Sequence, residues 1–400
     1  MTRRHLKPES PALLALLAAL VALGPLTVDM YVPAMPAMKD SLGTNISAMH
    51  LTLSFYLAGF ALFHLVCGPL ADRFGRRPIL IGGTALFVAA SLGCAFSTTV
   101  DELMIYRFIQ GVGACVGPTL ARTVARDVFG PTRAARALSL IAMLMALAPA
   151  IAPTLGAILL LWLPWPVIFL FLAFYGASMV LLIHVFLAES LPTRQSLRPR
   201  IILRNYRELF RDPLYLRVTI GSAMIYAGLM TYLSSSSFVY ISMLGVPVQY
   251  FGFIFLTSVI GYMAGSGLSA RLTHNHEPEY VVLMGSILAA SAGCAMLLGS
   301  FIFPMSIAAI LVPMVFYSTA MGLVLPNAMA VALRPFPNIA GTASAMLGFI
   351  QMGISGLASA LVGALLTDRP EPMIYLMFLI TLVALALSVN LYYRTRETLQ

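Results

Sequence analysis

The stretch GPLADRFGRRPIL, residues 68–80, places one aspartate and three arginines between two long apolar runs. The whole chain is 60% hydrophobic and only 10% charged, so this density of charge is unusual within it. Apolar runs close to the ~20 residues needed to cross a bilayer recur on both sides of the stretch. We therefore interpret residues 68–80 as an aqueous turn between two membrane-spanning segments.

The rest of the chain predicts a polytopic membrane protein of the all-α class, with a mean hydropathy of +0.91. Each span must be helical, because lipid offers no partner for backbone N–H and C=O groups. A cleaved signal peptide is the alternative for the N-terminus, but its apolar run continues without a polar start into DMYVPAMP. Twelve spans are predicted, at 11–33, 48–70, 79–97, 103–125, 137–161, 165–188, 214–241, 248–270, 280–300, 303–329, 338–366 and 373–393.

The loops predict two halves. Residues 1–188 form an N-terminal six-helix bundle, residues 189–213 a cytoplasmic linker, and residues 214–400 a C-terminal six-helix bundle. Within the linker, LRNYRELF fits an amphipathic surface helix or a solvated linker equally well. GSGLSARLTHNHEP follows span 8 as GPLADRFGRRP follows span 2, which suggests a parallel repeat.

The formal net charge of +9 follows the positive-inside pattern rather than indicating a nucleic-acid partner. Of the 24 Lys and Arg, all but Lys39, Arg369 and Arg107 fall in the termini or in even-numbered connections, or within four residues of one, so both termini are predicted to be cytoplasmic. The four cysteines lack metal-ligand spacing, and HNHE at 274–277 is interpreted as a polar turn rather than a metal site. No metal or cofactor is expected.

Several stretches carry a family resemblance. GPLADRFGRRP resembles the cytoplasmic signature of the major facilitator superfamily. DMYVPAMP, YRFIQGVGA, ALAPAIAPTLGA and RPFPNIAGTASAMLG together resemble the drug:proton antiporters of the bicyclomycin and chloramphenicol resistance (Bcr/CflA) subfamily. The resemblance implies the major facilitator fold with a central cavity and alternating access. It also implies proton-driven export of small drugs across the bacterial inner membrane, by a monomer.

The opening turn is expected to act as a charged latch. Gly68 and Pro69 are predicted to end the apolar run, and Gly75 to permit the reversal. The resemblance implies that Asp72 helps to close the cytoplasmic face near predicted span 11, residues 338–366. The predicted gate motif comprises Gly68, Asp72, Arg73, Gly75, Arg76 and Arg77.

Two ionisable residues are the proton-coupling candidates. Asp29 is the one acid placed deep within a predicted span, where an anion is costly and a protonated form is favoured. A hydrogen-bonded structural aspartate is the alternative. Arg107 lies inside span 4, with Gln110 on nearly the same face, and the resemblance places it near the proton pathway. The alternative for Arg107 is a packed interfacial arginine.

Span 5 contains a seam of Pro149, Pro153 and Gly156, which predicts a bent helix closely packed against a neighbour. It resembles the antiporter signature of the family, with Ala152 and Ala157 standing where glycine is usual. The candidate substrate-binding residues are Tyr31, Tyr56, Phe60, Gln110, Tyr226, Tyr232, Asn327 and Gln351.

Two other function classes are alternatives to drug export. A membrane enzyme is disfavoured because the chain contains no HExxH, G-x-S-x-G or phosphate-loop motif. A proton-coupled carrier for an endogenous metabolite, whether exporter or importer, shares every motif except the span 5 seam and is the main alternative.

Overall fold

The structure is a computed structural model that describes residues 10–191 and 199–399, without the side chains of 130–136, 139, 142–147, 199 and 395–399. No β-strand occurs in these two ranges, so the all-α prediction is confirmed for them. The helices are α1 (Pro11–Asp29), α2 (Met35–Ser41), α3 (Ile46–Phe74), α4 (Arg76–Ala95), α5 (Val100–Ala114), α6 (Val116–Trp162), α7 (Pro166–Phe186), α8 (Pro199–Arg211), α9 (Pro213–Ser237), α10 (Phe251–Leu272), α11 (Pro278–Ile302), α12 (Ile307–Leu333), α13 (Ala340–Leu365) and α14 (Glu371–Leu399).

Ten helical segments within the described ranges are long and apolar enough to cross a membrane. Each coincides with a predicted span to within a few residues at most ends. For example, Ile46–Phe74 contains the predicted span 48–70, and Pro278–Ile302 contains 280–300. Apolar run length alone predicted these ten because the lipid core requires about 20 residues of helix.

The two remaining predicted spans have different boundaries in the structure. The sequence predicts spans at 103–125 and 137–161 with a loop between them, whereas the helix breaks at Cys115 and α6 then continues through residues 126–136. At 1.5 Å per residue, the 47 residues of α6 are roughly 70 Å long, more than twice the hydrocarbon thickness. Residues of both predicted spans therefore lie in α5 and α6.

The chain divides into two compact units. Of the described residues, the first unit contains those within Met1–Gly43 and Phe55–Pro199, and the second contains those within Thr44–Ser54 and Arg200–Gln400. The first turns of α3 thus belong to the second unit, and the rest of that helix belongs to the first.

Glycines permit close helix packing within the first unit. A Cβ at Gly117 on α6 would overlap the carbonyl oxygen of Leu20 on α1. A Cβ at Gly111 on α5 would likewise overlap the carbonyl oxygen of Tyr56 on α3. Small residues let backbones approach closely in membrane helices, where van der Waals contact rather than the hydrophobic effect drives association.

The linker contains the predicted surface helix. Helix α8 runs from Pro199 to Arg211 and includes all of LRNYRELF. Its Leu209 is fully buried, while Leu203 is 70% exposed. The helical conformation of this segment is therefore confirmed, with one apolar side chain buried and another exposed, and its location at the membrane surface stays a prediction.

Candidate functional site

The buried guanidinium of Arg107 is the centre of the candidate site in the first unit. Arg107 is 0% exposed, and its Cζ lies 4.2 Å from the ring centroid of Tyr31 and 4.4 Å from that of Tyr56. The Phe169 ring on α7 lies 5.9 Å away. These distances are typical of cation–π interactions, and a good cation–π pair stabilises a desolvated guanidinium by about 2 kcal/mol or more.

A short hydrogen-bond chain orients the guanidinium. Arg107 Nη1 donates to Gln110 Oε1 at 2.7 Å, and Gln110 Nε2 donates to Ser91 Oγ at 2.8 Å. Ser91 Oγ in turn donates to the carbonyl oxygen of Phe87 at 2.7 Å. The i, i+3 spacing predicted that Arg107 and Gln110 share a face of α5, since residues three apart are neighbours on a helix.

Two nitrogens of Arg107 are left without a hydrogen bond. Nε and Nη2 are buried and make no hydrogen bond to the protein, and Arg107 forms no ion pair with any carboxylate of the described residues. Burying a cation without a carboxylate partner costs free energy, so its presence here indicates a functional role. Donors are therefore available at this site for a proton acceptor or a substrate.

Asp29 ends α1 and is 6% exposed. It forms no ion pair with a described basic residue, so Asp29 and Arg107 are not directly paired in this structure. They are linked along the chain, because Tyr31, two residues after Asp29, lies over the guanidinium. A change at Asp29 thus has a short physical route to Arg107.

The predicted seam of α6 contacts the same end of α1. A Cβ at Gly156 would lie 2.7 Å from the carbonyl oxygen and 3.1 Å from the Cα of Met30, the residue after Asp29. Pro153 and Gly156 are both buried, and Pro149 is partly exposed. Glycine at 156 therefore determines how closely α6 approaches the backbone beside Asp29.

The candidate substrate residues separate into two groups. Tyr31, Tyr56 and Gln110 contact Arg107, and the Phe60 ring lies tilted beside that of Tyr56, with centroids 6.3 Å apart. The other four lie in the second unit: Tyr226, Tyr232, Asn327 and Gln351.

Two members of the second group bond to protein atoms. Tyr232 donates its hydroxyl proton to the Tyr240 hydroxyl at 3.2 Å. The Asn327 amide donates to Ser269 Oγ and to the Leu323 carbonyl oxygen, both at 2.7 Å. These polar atoms stabilise helix packing in the second unit, and their role toward a substrate stays a prediction.

Two acids that no local sequence pattern indicated contact the charged turn between α3 and α4. Arg76 pairs with Asp72, its i–4 neighbour, and its Nε also lies 3.3 Å from Asp127 Oδ2 on α6. The second is Glu189, which follows α7 and accepts hydrogen bonds from the backbone N–H of Arg76 at 2.9 Å and of Arg77 at 3.2 Å. Both are distant in sequence, so no local pattern pointed to them.

Glu189 caps the first turn of α4, where the unpaired N–H groups and the helix dipole favour a carboxylate. Arg77 also donates through Nη2 to the His184 carbonyl oxygen at 2.7 Å. Arg73, by contrast, is exposed and lies 5.5 Å from the Phe74 ring. The turn is thus held to α6 by Asp127 and to the segment after α7 by Glu189.

The boundary of this turn differs from the prediction. Helix α3 continues through Gly68 and Pro69 to Phe74, and the chain reverses only at Gly75, whose φ is 107°. A positive φ of this size is open mainly to glycine, and a Cβ there would also overlap Glu189 Oε2. Gly68 lies in helical backbone and supplies no turn.

We expect Gly75→Ala to lower the free energy of unfolding by about 1–3 kcal/mol, because the strained φ costs that much and Glu189 must also move. Thermal unfolding of the purified protein in detergent measures this. Gly68→Ala is the matched control from the same motif, since nothing lies within 4 Å of its Cβ position. It should be neutral or stabilising by about 0.5–1 kcal/mol, as alanine favours a helix interior. Equal melting of the two variants would contradict this assignment of roles.

No metal site was found among the described residues. No group of three or more His, Cys, Asp and Glu side chains there is arranged to hold an ion. His276 of the HNHE segment instead lies against the Tyr280 ring, with centroids 4.9 Å apart. Cys67, Cys94 and Cys115 are buried free thiols, and Cys294 is an exposed one.

A family model described as Major Facilitator Superfamily matches residues 17–360. The chain belongs to the Major Facilitator Superfamily. A Bacillus subtilis protein named as an uncharacterized MFS-type transporter is 33% identical over 360 residues, covering 89% of each chain. A bicyclomycin resistance protein homolog of Haemophilus influenzae is 27% identical over 383 residues, covering 94% of each chain. Multidrug resistance protein D of Escherichia coli is 28% identical over 352 residues, with 87% of this chain and 88% of that one covered.

Solved structures of this superfamily support the fold assignment. A peptide transporter crystallised with sulfate superposes with a TM-score of 0.80 at 14% identity, covering 99% of this chain and 96% of that one. A bacterial homolog of the lysosomal transporter Spinster, in an inward-facing occupied conformation, gives a TM-score of 0.76 at 15% identity over 98% of both chains. At such identities the likeness concerns the fold alone.

Proposed function

We propose that this superfamily member is a secondary active exporter that moves small amphiphilic drugs out of the cell in exchange for protons, by alternating access. The observation that carries the proposal is the pair of buried ionisable groups, Asp29 and Arg107, in one helical unit without an ion pair between them. Relatives named for bicyclomycin and multidrug resistance support the substrate class. We also propose that it is not an enzyme and that it works as a monomer.

The proposed site assigns separate roles to the two groups. Asp29 takes up and releases the proton, because it is the buried acid at the end of α1. Arg107 stabilises the anionic state of Asp29 through its unpaired nitrogens when the end of α1 moves, and Tyr31 and Tyr56 keep the guanidinium oriented. Substrate and proton then compete for the same region, which is the requirement for exchange.

The location we propose is the bacterial inner membrane, with both termini and the 189–213 linker in the cytoplasm. The support is the arginine asymmetry of the sequence, since cytoplasmic loops of membrane proteins carry an excess of Lys and Arg. On this topology the α3–α4 turn with Asp72, Arg76 and Glu189 faces the cytoplasm, as a gate motif should. The start of α3 then faces outward.

Expression in an efflux-deficient bacterial host tests the function. We expect the concentrations of several unrelated amphiphilic drugs needed to stop growth to rise, and the rise to vanish when a protonophore collapses the proton gradient. Quantification of the protein in isolated membranes is the control for expression. Unchanged susceptibility to every drug at normal protein levels would contradict drug export, and proton release triggered by a metabolite alone would favour a metabolite carrier instead.

A further inference from the structure

His50 is a buried ionisable residue that the proposed proton cycle does not use. It lies in the first two turns of α3, within the second unit, and is 0% exposed. Its ring stacks on Phe238 with centroids 5.8 Å apart and an interplanar angle of 23°. The Ser359 backbone faces the imidazole, but neither Nδ1 nor Nε2 makes a hydrogen bond of normal geometry. Nearly all buried polar groups are bonded, so this exception needs an explanation.

A glycine on α13 makes this packing feasible. A Cβ at Gly363 would lie 2.6 Å from Cγ of His50, so any larger residue would displace the ring. Gly353 on the same helix has nothing within 4 Å of its Cβ position. The close contact at His50 is therefore specific to one site on α13.

The helix that carries Phe238 is irregular at this point. After the serine run 234–237, α9 gives way to a π-helical segment, Phe238–Met243. Ser234 and Ser236 donate to carbonyl oxygens one turn back, whereas the buried hydroxyls of Ser235 and Ser237 have no partner. Such bonds compete with the helix ladder, and π segments are frequent at functional sites. The backbone that carries Phe238 against His50 is thus irregular, and two buried serine hydroxyls without a partner directly precede it.

Among the described residues, no carboxylate forms an ion pair with His50. Helix α13 contains no titratable side chain, and the one acid on α3 is Asp72, at its opposite end. The segment 213–243 contains no acid. The other titratable or charged groups on these elements are Tyr56, His64, Cys67, Arg73, Tyr215, Arg217, Tyr226, Tyr232 and Tyr240.

We propose that His50 is a second proton-binding site, at which protonation from the outside releases the first turns of α3 from α13 and from the π segment. A neutral imidazole fits the packed site, whereas an imidazolium there is a buried charge without a partner and gains free energy by reaching water. Low external pH then favours the separated state, in which the proton is held. The inference rests on the proposed function, because the proposed topology places this end of α3 on the outer side of the membrane.

Hydrogen–deuterium exchange of the purified protein tests this, comparing wild type with His50→Gln at the same pH so that intrinsic exchange rates cancel. Glutamine stays neutral and polar. A water-exposed imidazole titrates near pH 6.5, so at about pH 5.5 we expect roughly tenfold faster exchange in wild type at residues 44–54 and 355–366. At about pH 8 the two proteins should match. Equal exchange at both pH values would overturn the proposal.

Gly363→Ala provides a second test that does not depend on the folding of the His50 variant. It should exchange rapidly at both pH values because the methyl group prevents docking, while Gly353→Ala should behave as wild type. A Gly363→Ala protein with the full wild-type pH response would also overturn the proposal. The exchange readout needs no transport, so a normal pH response in a protein without drug export would refute the proposed function alone.

Discussion

Replacement of Asp29 by asparagine is expected to reduce uphill export to the background level while leaving the protein inserted. The amide holds the neutral form permanently, so no proton can be released when substrate binds. The electrical gradient, worth about 2.3 kcal/mol per charge per 100 mV, then cannot be coupled to transport. Drug-induced proton release from the purified protein measures this directly and should disappear. Uncharged substrates should still bind.

Two variants make the Asp29 result specific. Asp29→Glu should keep partial activity, because the acid survives at a shifted position. Asp40→Asn is the matched control, since Asp40 is 74% exposed at the side chain and pairs with Lys39 at 3.1 Å on the surface. It should export normally, as exposed ion pairs contribute only about 0–1 kcal/mol. If Asp29→Asn still exports against a gradient with unchanged protonophore sensitivity, Asp29 is a structural residue.

Replacement of Arg107 by lysine is expected to reduce export severely, although the positive charge is kept. The ammonium cannot hold the 2.7 Å bond to Gln110 and also lie flat against Tyr31 and Tyr56, because it lacks the planar guanidinium fork. A charge-assisted hydrogen bond contributes about 1.5–3 kcal/mol, so export should fall by roughly tenfold or more. Transport in proteoliposomes across a range of internal pH measures it.

Arg73→Lys is the control for the arginine-to-lysine change itself. Arg73 is exposed and has one aromatic neighbour, so both stability and export should stay close to wild type. A merely structural Arg107 would lower stability without altering how export depends on pH. If Arg107→Lys melts earlier but retains the wild-type pH profile, Arg107 has no part in coupling.

Local sequence determined the spans and the character of the turn. Ten crossings could be predicted from apolar run length, because the bilayer imposes that length on each helix separately. The proximity of Arg107 and Gln110 could also be predicted, since helical periodicity places residues three apart side by side. The break at Cys115 was not, because an apolar run does not reveal where one helix stops and the next begins.

Tertiary structure alone decided which distant groups meet. Asp127 and Glu189 contact Arg76 from 51 and 113 residues away, and Ser91 completes the Gln110 chain from α4. The motif alone does not distinguish Gly68 from Gly75. The positive φ of Gly75 and the neighbouring Glu189 show that glycine is required at 75. In the sequence, His50 is a polar residue within an apolar helix. The structure shows that Phe238 and α13 enclose its ring. Helix packing creates these sites, because burial and pairing depend on neighbours that the local sequence does not specify.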